Sequence, residues 1–194
     1  MITPPPAAVN TGNYAGYYWN AGSVADAQFT VPTMPNPTAA EESGNAILSL
    51  WGALSAPGSS HIAQIGVYDY YDAGTIKWAG FCAWWPDTDQ SCGGGVSSGD
   101  VIQTRVTRSG LSYTMEMHDA GPHNVWTVTV KNAAFPALSQ GEAIAEDTTR
   151  GTLEPLGSFS DIPVATSGNV ATEVYSSNVG TPVKTGAKTF YVHR

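Results

Sequence analysis

The segment LSYTMEMH, residues 111–118, constrains the fold more than any other. Leu111, Tyr113, Met115 and Met117 point one way along an extended chain, and Ser112, Thr114, Glu116 and His118 point the other. This is a strand with one dry face. GDVIQTRV precedes it across TRSG, a short connection ending in glycine that reads as a hairpin, and NVWTVTVK follows across DAGPH. The three form an antiparallel unit. Further strand candidates are AILSLWGAL, HIAQIGVYDYYD, TIKWAGFCAWW, GEAIAEDT, GSFSDIPV and TFYVHR, each bounded by clusters of Gly, Pro, Asn and Ser. No segment carries a convincing helical period. The expectation is an all-β, antiparallel sandwich or barrel. Residues 1–12, rich in proline, read as a flexible tail, residues 13–194 as one domain, and TVPTMPNPTAAEESGN as a loop whose prolines bar it from a central strand.

Charge narrows the partners. The 194 residues hold Lys+Arg 8 against Asp+Glu 16, a net charge of −8, which repels nucleic-acid phosphates and anionic lipid surfaces. Neither nucleic acid nor membrane is an expected partner. Charged residues make up only 12% of the chain, so little charge is lost on acidification and stability at low pH is expected. No apolar run reaches the length of a membrane span, and MITPPPAAV lacks the basic and hydrophobic regions of a signal peptide. Cys82 and Cys92 are close enough to staple one loop; a disulfide is favoured over a buried thiol at Cys82 and an incidental one at Cys92.

General catalytic signatures fail on context. GVSSG, residues 95–99, fits the G-x-S-x-G pattern, but a strand follows it where a nucleophile elbow needs a helix. His118 and His123 flank a turn without a third placed ligand, so no metal is expected. No P-loop or dinucleotide fingerprint is present, and no cofactor is implied.

Two stretches remain informative. In HIAQIGVYDY, residues 61–70, the side chains of Ile62, Gln64, Gly66, Tyr68 and Tyr70 share one face, and the amide of Gln64 stands where a core residue belongs. A buried amide needs partners, so it is either a satisfied core group or a working one. In GEAIAEDTT, residues 141–149, Glu142, Ile144 and Glu146 share a face. Jelly-roll glucanases carry a similar E-x-D-x-E strand, but here Ile144 takes the middle position; an edge strand with solvated glutamates is the plainer alternative.

Taken in order, NYAGYY, FTVPTM, LWGAL, IAQIGV, WWPD, GDVIQTRV, GEAIAED, LGSFSDI and TFYVHR resemble the glutamic peptidases, or eqolisins, over nearly the whole chain. The resemblance implies a jelly-roll, concanavalin-like sandwich of two antiparallel, seven-stranded sheets. It also implies a catalytic pair, matching Gln64 and Glu146, that hydrolyses peptide bonds through a water held between them. Glu146 would serve as base and then acid, while the Gln64 amide would accept from the water and donate to the oxyanion. A glutamate of ordinary pKa places that activity at about pH 3 to 5. Trp51 is then a substrate-site wall or a core aromatic, and Tyr68, Trp84 and Glu142 join it as substrate-binding candidates. One of the adjacent Trp84 and Trp85 must be buried and the other outward.

The chain departs from the family pattern at three places. Ser55 stands where a supporting Asp is usual, Ala83 where a Glu is, and Ala143 where a Trp is. Ala143 should point away from Glu146, its loss affecting packing more than chemistry. The expectation is a secreted, monomeric acid endopeptidase acting on polypeptide, with no cofactor. Its alternatives are a relative that has lost proteolysis and binds a ligand in the same concave site, and a sandwich glycosidase.

Overall fold

The computed structural model describes residues 9–57, 59–85, 89–119, 125–131, 137–148 and 156–194. The strands run β1 (Val9–Asn10), β2 (Tyr14–Asn20), β3 (Val24–Thr30), β4 (Leu48–Ser55), β5 (Ile62–Asp72), β6 (Thr75–Trp85), β7 (Asp89–Val96) and β8 (Val101–Ser109). They continue with β9 (Ser112–Asp119), β10 (Val125–Lys131), β11 (Gln140–Asp147), β12 (Ile162–Thr166), β13 (Thr172–Tyr175), β14 (Thr181–Lys184) and β15 (Thr189–His193). One sheet has the order β1-β13-β2-β11-β4-β5-β6-β7, the other β10-β9-β8-β3-β12-β15-β14. The architecture is the expected two-sheet β-sandwich.

Alternation builds the core between the sheets. Leu48, Leu50 and Leu54 of β4, Ala63, Ile65 and Val67 of β5, and Tyr17 and Trp19 of β2 meet Ala25, Ala27 and Phe29 of β3, Ile102 and Val106 of β8, and Tyr113, Met115 and Met117 of β9. Every residue of β4 is buried, because the outer face of its sheet is covered as well. A second apolar cluster there joins Trp51, Ala53, Phe81, Ala83, Ile144 and Val174 with the half-buried Tyr14, Tyr18, Ile62 and Tyr68. That outer cluster surrounds the candidate residues Gln64, Glu142 and Glu146.

The details differ from expectation in several places. Leu111 is not on the dry face of β9: the ladder closes at Ser109 and Ser112, which leaves Gly110 (φ 61°) and Leu111 as a two-residue turn with Leu111 exposed. The expected proline-rich loop holds one short helix, α1 (Ala39–Glu42), started by a capping box in which Thr38 accepts from the Glu41 amide and Glu41 accepts from that of Thr38. The expected tail reaches into the fold, since Val9 and Asn10 pair in parallel with Val174 and Tyr175. That added strand makes the first sheet eight-stranded; residues 1–8 lie outside the described residues. The glycine-rich SCGGG belongs to β7, bent by bulges against β6, and Cys82 of β6 is disulfide-bonded to Cys92 of β7. The turn DAGPH beyond Asp119, with His123, and the residues Pro86 and Asp87 also lie outside the described residues.

Candidate active site

Strand β4 is the spine of the site. It pairs with β11 on one side and β5 on the other, without a bulge in either ladder, so directly opposed residues form rows whose side chains share a face. The first row on the outer face runs Tyr18, Glu142, Ala53, Gln64, Ala83 across β2, β11, β4, β5 and β6. The second runs Gly16, Ile144, Trp51, Gly66, Phe81, and the third Tyr14, Glu146, Ser49, Tyr68, Ala79. Gln64, Glu142 and Glu146 therefore all project from one face.

They are not equally close. Gln64 and Glu142 flank Ala53 in one row, two strand spacings apart, which sets their Cα atoms roughly 10 Å from each other. Glu146 lies four residues further along β11, an added offset of about 13 Å, and the row containing the Trp51 ring comes between. The sequence-expected partners, Gln64 and Glu146, share the face but not a row. Gln64 is half-buried, and no side-chain hydrogen bond of its amide occurs among the described residues.

Each glutamate has its own surroundings. Glu142 is buried; Ser55 Oγ donates to its Oε1, and Gln140 Nε2 donates to the same atom at 3.1 Å and to Ser55 Oγ at 3.2 Å. Burial pushes the Glu142 carboxyl above the usual carboxylate range, while the bonds from Ser55 and Gln140 draw it part of the way back. Both donors bind Oε1, which keeps them off Oε2. Glu146 is half-buried, with Oε2 accepting from Trp51 Nε1 at 2.8 Å and Oε1 from Asn13 Nδ2 at 3.3 Å. Tyr14 packs edge-on against Trp51 with ring centroids 6.0 Å apart. Burial, and then the negative charge of Glu146 and Glu142, pushes the Tyr14 hydroxyl up to about 12; Tyr18 is raised by burial, then by Glu142, Tyr14 and Glu146. Both tyrosines stay neutral donors facing the carboxyls.

Of the substrate-binding candidates, Trp51, Tyr68 and Glu142 lie on this face. Trp51 is fully buried, and its indole nitrogen holds Glu146. Tyr68 is half-buried, its ring 6.2 Å from that of Phe81 and 6.3 Å from that of Tyr70. Trp84 is a correction. It pairs with Ala63 and points into the sandwich, where its ring meets Tyr113 edge-on at 4.8 Å, while the neighbouring Trp85 beside Ile62 is 52% exposed on the outer face. Alternation gave two choices for the tryptophan pair, and the outward one is Trp85. Ala143 points into the core, as expected, and Ala83 lies buried beside Gln64. Gln140 was missed by the sequence reading, although its place two residues before Glu142 puts it on the same face.

The sequence profile of the Peptidase A4 family matches residues 12–186. No curated protein matches the chain by sequence. In three dimensions the chain is similar to scytalido-glutamic peptidase, solved with a peptide-based transition-state analogue: 17% identity and a TM-score of 0.72, over 95% of this chain and 99% of that one. It is similar also to aspergilloglutamic peptidase from Aspergillus niger, at 18% identity and a TM-score of 0.61, over 76% of this chain and 99% of that one. Likeness at such identities speaks for a shared fold, and the profile match over most of the chain settles the lineage: the protein belongs to the Peptidase A4 family, the glutamic peptidases or eqolisins.

Proposed function

We propose that the chain is an acid-active endopeptidase that hydrolyses polypeptide by direct attack of water on the outer face of the eight-stranded sheet. The supporting observation is the row in which Gln64 and Glu142 stand on either side of Ala53. A gap of roughly 10 Å between Cα atoms suits two such side chains reaching toward one water, given hydrogen bonds of about 2.8 Å on each side. Ala53 contributes only a methyl group to the floor between them. Ionised Glu142 takes a proton from the water as it attacks the peptide carbonyl, and returns it to the departing amine. The Gln64 amide orients the water through its oxygen and donates through its nitrogen to the developing oxyanion.

In this reading Glu146, the partner suggested by resemblance, is a positioning residue that locks Trp51 and Asn13. Because burial raises Glu142 above the ordinary carboxylate range, the base becomes available at higher pH than a solvent-exposed glutamate would be. A disulfide across β6 and β7 suits a secreted enzyme working outside the reducing cytosol. A second reading, a relative that binds a ligand without cleaving it, is favoured by one observation: the groups touching or flanking the pair at Ser55 and Ala83 are uncharged.

Digestion of a denatured protein across about pH 3 to 7 by the parent, Gln64→Ala, Glu142→Gln and Glu146→Gln tests the proposal. Loss of roughly 10²-fold or more in the first two variants is expected, with a smaller loss in the third. A larger loss in Glu146→Gln than in Glu142→Gln returns the catalytic role to Glu146. An inactive parent supports the ligand-binding reading.

A further inference from the structure

At one end of the same three strands, on the core side and five residues along from the row of Gln64, Ala53 and Glu142, Asp147 of β11 opposes Leu48 of β4, which adjoins Asp69 of β5. Both aspartates are 1% exposed. The Leu48 amide donates to Asp69 Oδ1 at 2.8 Å, and Asn178 Nδ2 donates to Asp147 Oδ2 at 3.2 Å. The other oxygen of each, Asp69 Oδ2 and Asp147 Oδ1, is buried with no hydrogen-bond partner among the described residues. Among the described residues the charged groups acting on the pair are Glu41 from α1 and Arg194 from the C-terminal end. The Glu41 carboxylate is engaged by the amides of Thr38 and Gly157, and Arg194 Nη1 donates to Gly157 O. Three acidic groups thus share a buried corner of the sandwich, with the exposed Arg194 at its edge.

We propose that Asp69 and Asp147 are an acid latch for the active face: protonated, they hold the ends of β5, β4 and β11 together; ionised, they drive those ends apart. An orphaned buried carboxylate oxygen is tolerable as a protonated hydroxyl or a neutral carbonyl, and costly as part of a charge. Their positions in the chain connect the latch to the row that holds the positioning residue, since Asp69 follows Tyr68 and Asp147 follows Glu146, four residues along the same strands from the row of Gln64, Ala53 and Glu142. The electrostatics agree. Burial, with the nearby Glu41 and Asp147, raises Asp69 to about 8 against the Leu48 bond; burial raises Asp147 to about 6, with Asn178 and Arg194 opposing and Glu41 adding. Between the unfolded value of 3.8 and these folded values the native chain binds more protons than the unfolded one, so stability falls as pH rises through that window. Asp147 gives way first, then Asp69. The active site's regulation by this latch rests on the peptidase reading; the latch's effect on stability does not.

The test is thermal unfolding of the whole chain from about pH 4 to about pH 8.5 for the parent, Asp69→Asn, Asp147→Asn and the double variant. The parent should melt lower at the top of the range by about 10 °C or more, and each Asn variant should show a smaller drop, the double variant the smallest. A parent whose melting temperature is flat or rises across the range, or variants that fold but keep the parent's slope, overturns the latch. If the variants do not fold, carboxyl-carbon NMR of the aspartate-labelled parent decides: an aspartate titrating above about pH 6 supports it, and none above about pH 5 overturns it. Failure of the peptidase reading would appear differently, as no cleavage at any pH with the melting slope intact.

Discussion

Gly66→Ala is a stringent perturbation of the site because it adds one methyl group two residues from Gln64, on the same face. Gly66 opposes Trp51 of β4, and a Cβ built there lies 2.0 Å from Leu50 O, 2.7 Å from Trp51 Cα and 2.8 Å from Trp51 Cβ. These atoms belong to backbone or sit at the root of a fully buried side chain, so no rotamer change relieves the contact. Restoring a separation of about 3.4 Å from Leu50 O requires the strands to part by about 1.4 Å there. Ladder hydrogen bonds near 2.9 Å would stretch beyond any useful length. Overpacking of this kind with the loss of one or two hydrogen bonds corresponds to about 3 kcal/mol or more. A displacement of about 1 Å in a reacting group lowers the rate roughly 10²-fold. Urea unfolding and peptide cleavage at about pH 4 read the two effects on one preparation. A variant within about 0.5 kcal/mol of the parent, with unchanged kcat/KM, would refute the claim that close β4–β5 approach positions Gln64.

Other outcomes follow from the same geometry. Ser55→Ala removes one of the two donors that hold the Glu142 carboxyl down, so the acid limb of the kcat/KM profile should move to higher pH; a shift the other way contradicts the arrangement. Replacing both Cys82 and Cys92 by Ala opens a loop of sequence separation 10 and should lower unfolding stability by about 3 kcal/mol. Trp84→Ala should destabilise by about 3 to 5 kcal/mol, while Trp85→Ala should stay within about 0.5 kcal/mol, as measured by chemical denaturation. Equal losses would mean that the two rings had been assigned to the wrong faces.

The strands with large alternating side chains were legible from sequence. Tyr113, Met115 and Met117 announce β9, and Ile65 and Val67 announce the inner face of β5. By contrast VADAQFT, which forms β3, buries Ala25, Ala27 and Phe29, and two alanines give a weak hydrophobic signal for a central strand. Strand β7 was obscured by its glycines, which suit its bulges and carry no pattern. The site was half legible. Period two placed Gln64, Glu142 and Glu146 on faces, but facing says nothing about rows. Which glutamate opposes Gln64 depends on the register of β4 against two partners distant in sequence, and a shift of two residues in either ladder would keep every side chain on its face while changing its neighbour. Asn13 went unassigned because it precedes the strand, and Gln140, though period two puts it on the face of Glu142, because its bond to Ser55 depends on the register of β11 against β4.

A crystal structure determined at about pH 4 with a non-cleavable peptide mimic would test the central claim most directly. The decisive quantity is the pair of distances from the atom occupying the place of the attacking water to the Gln64 amide and to the nearer Glu142 oxygen. Both should fall at hydrogen-bond length, about 2.6 to 3.2 Å, with the mimic lying over Ala53. A mimic seated between Tyr68 and Glu146, with Glu142 out of reach, would contradict the assignment.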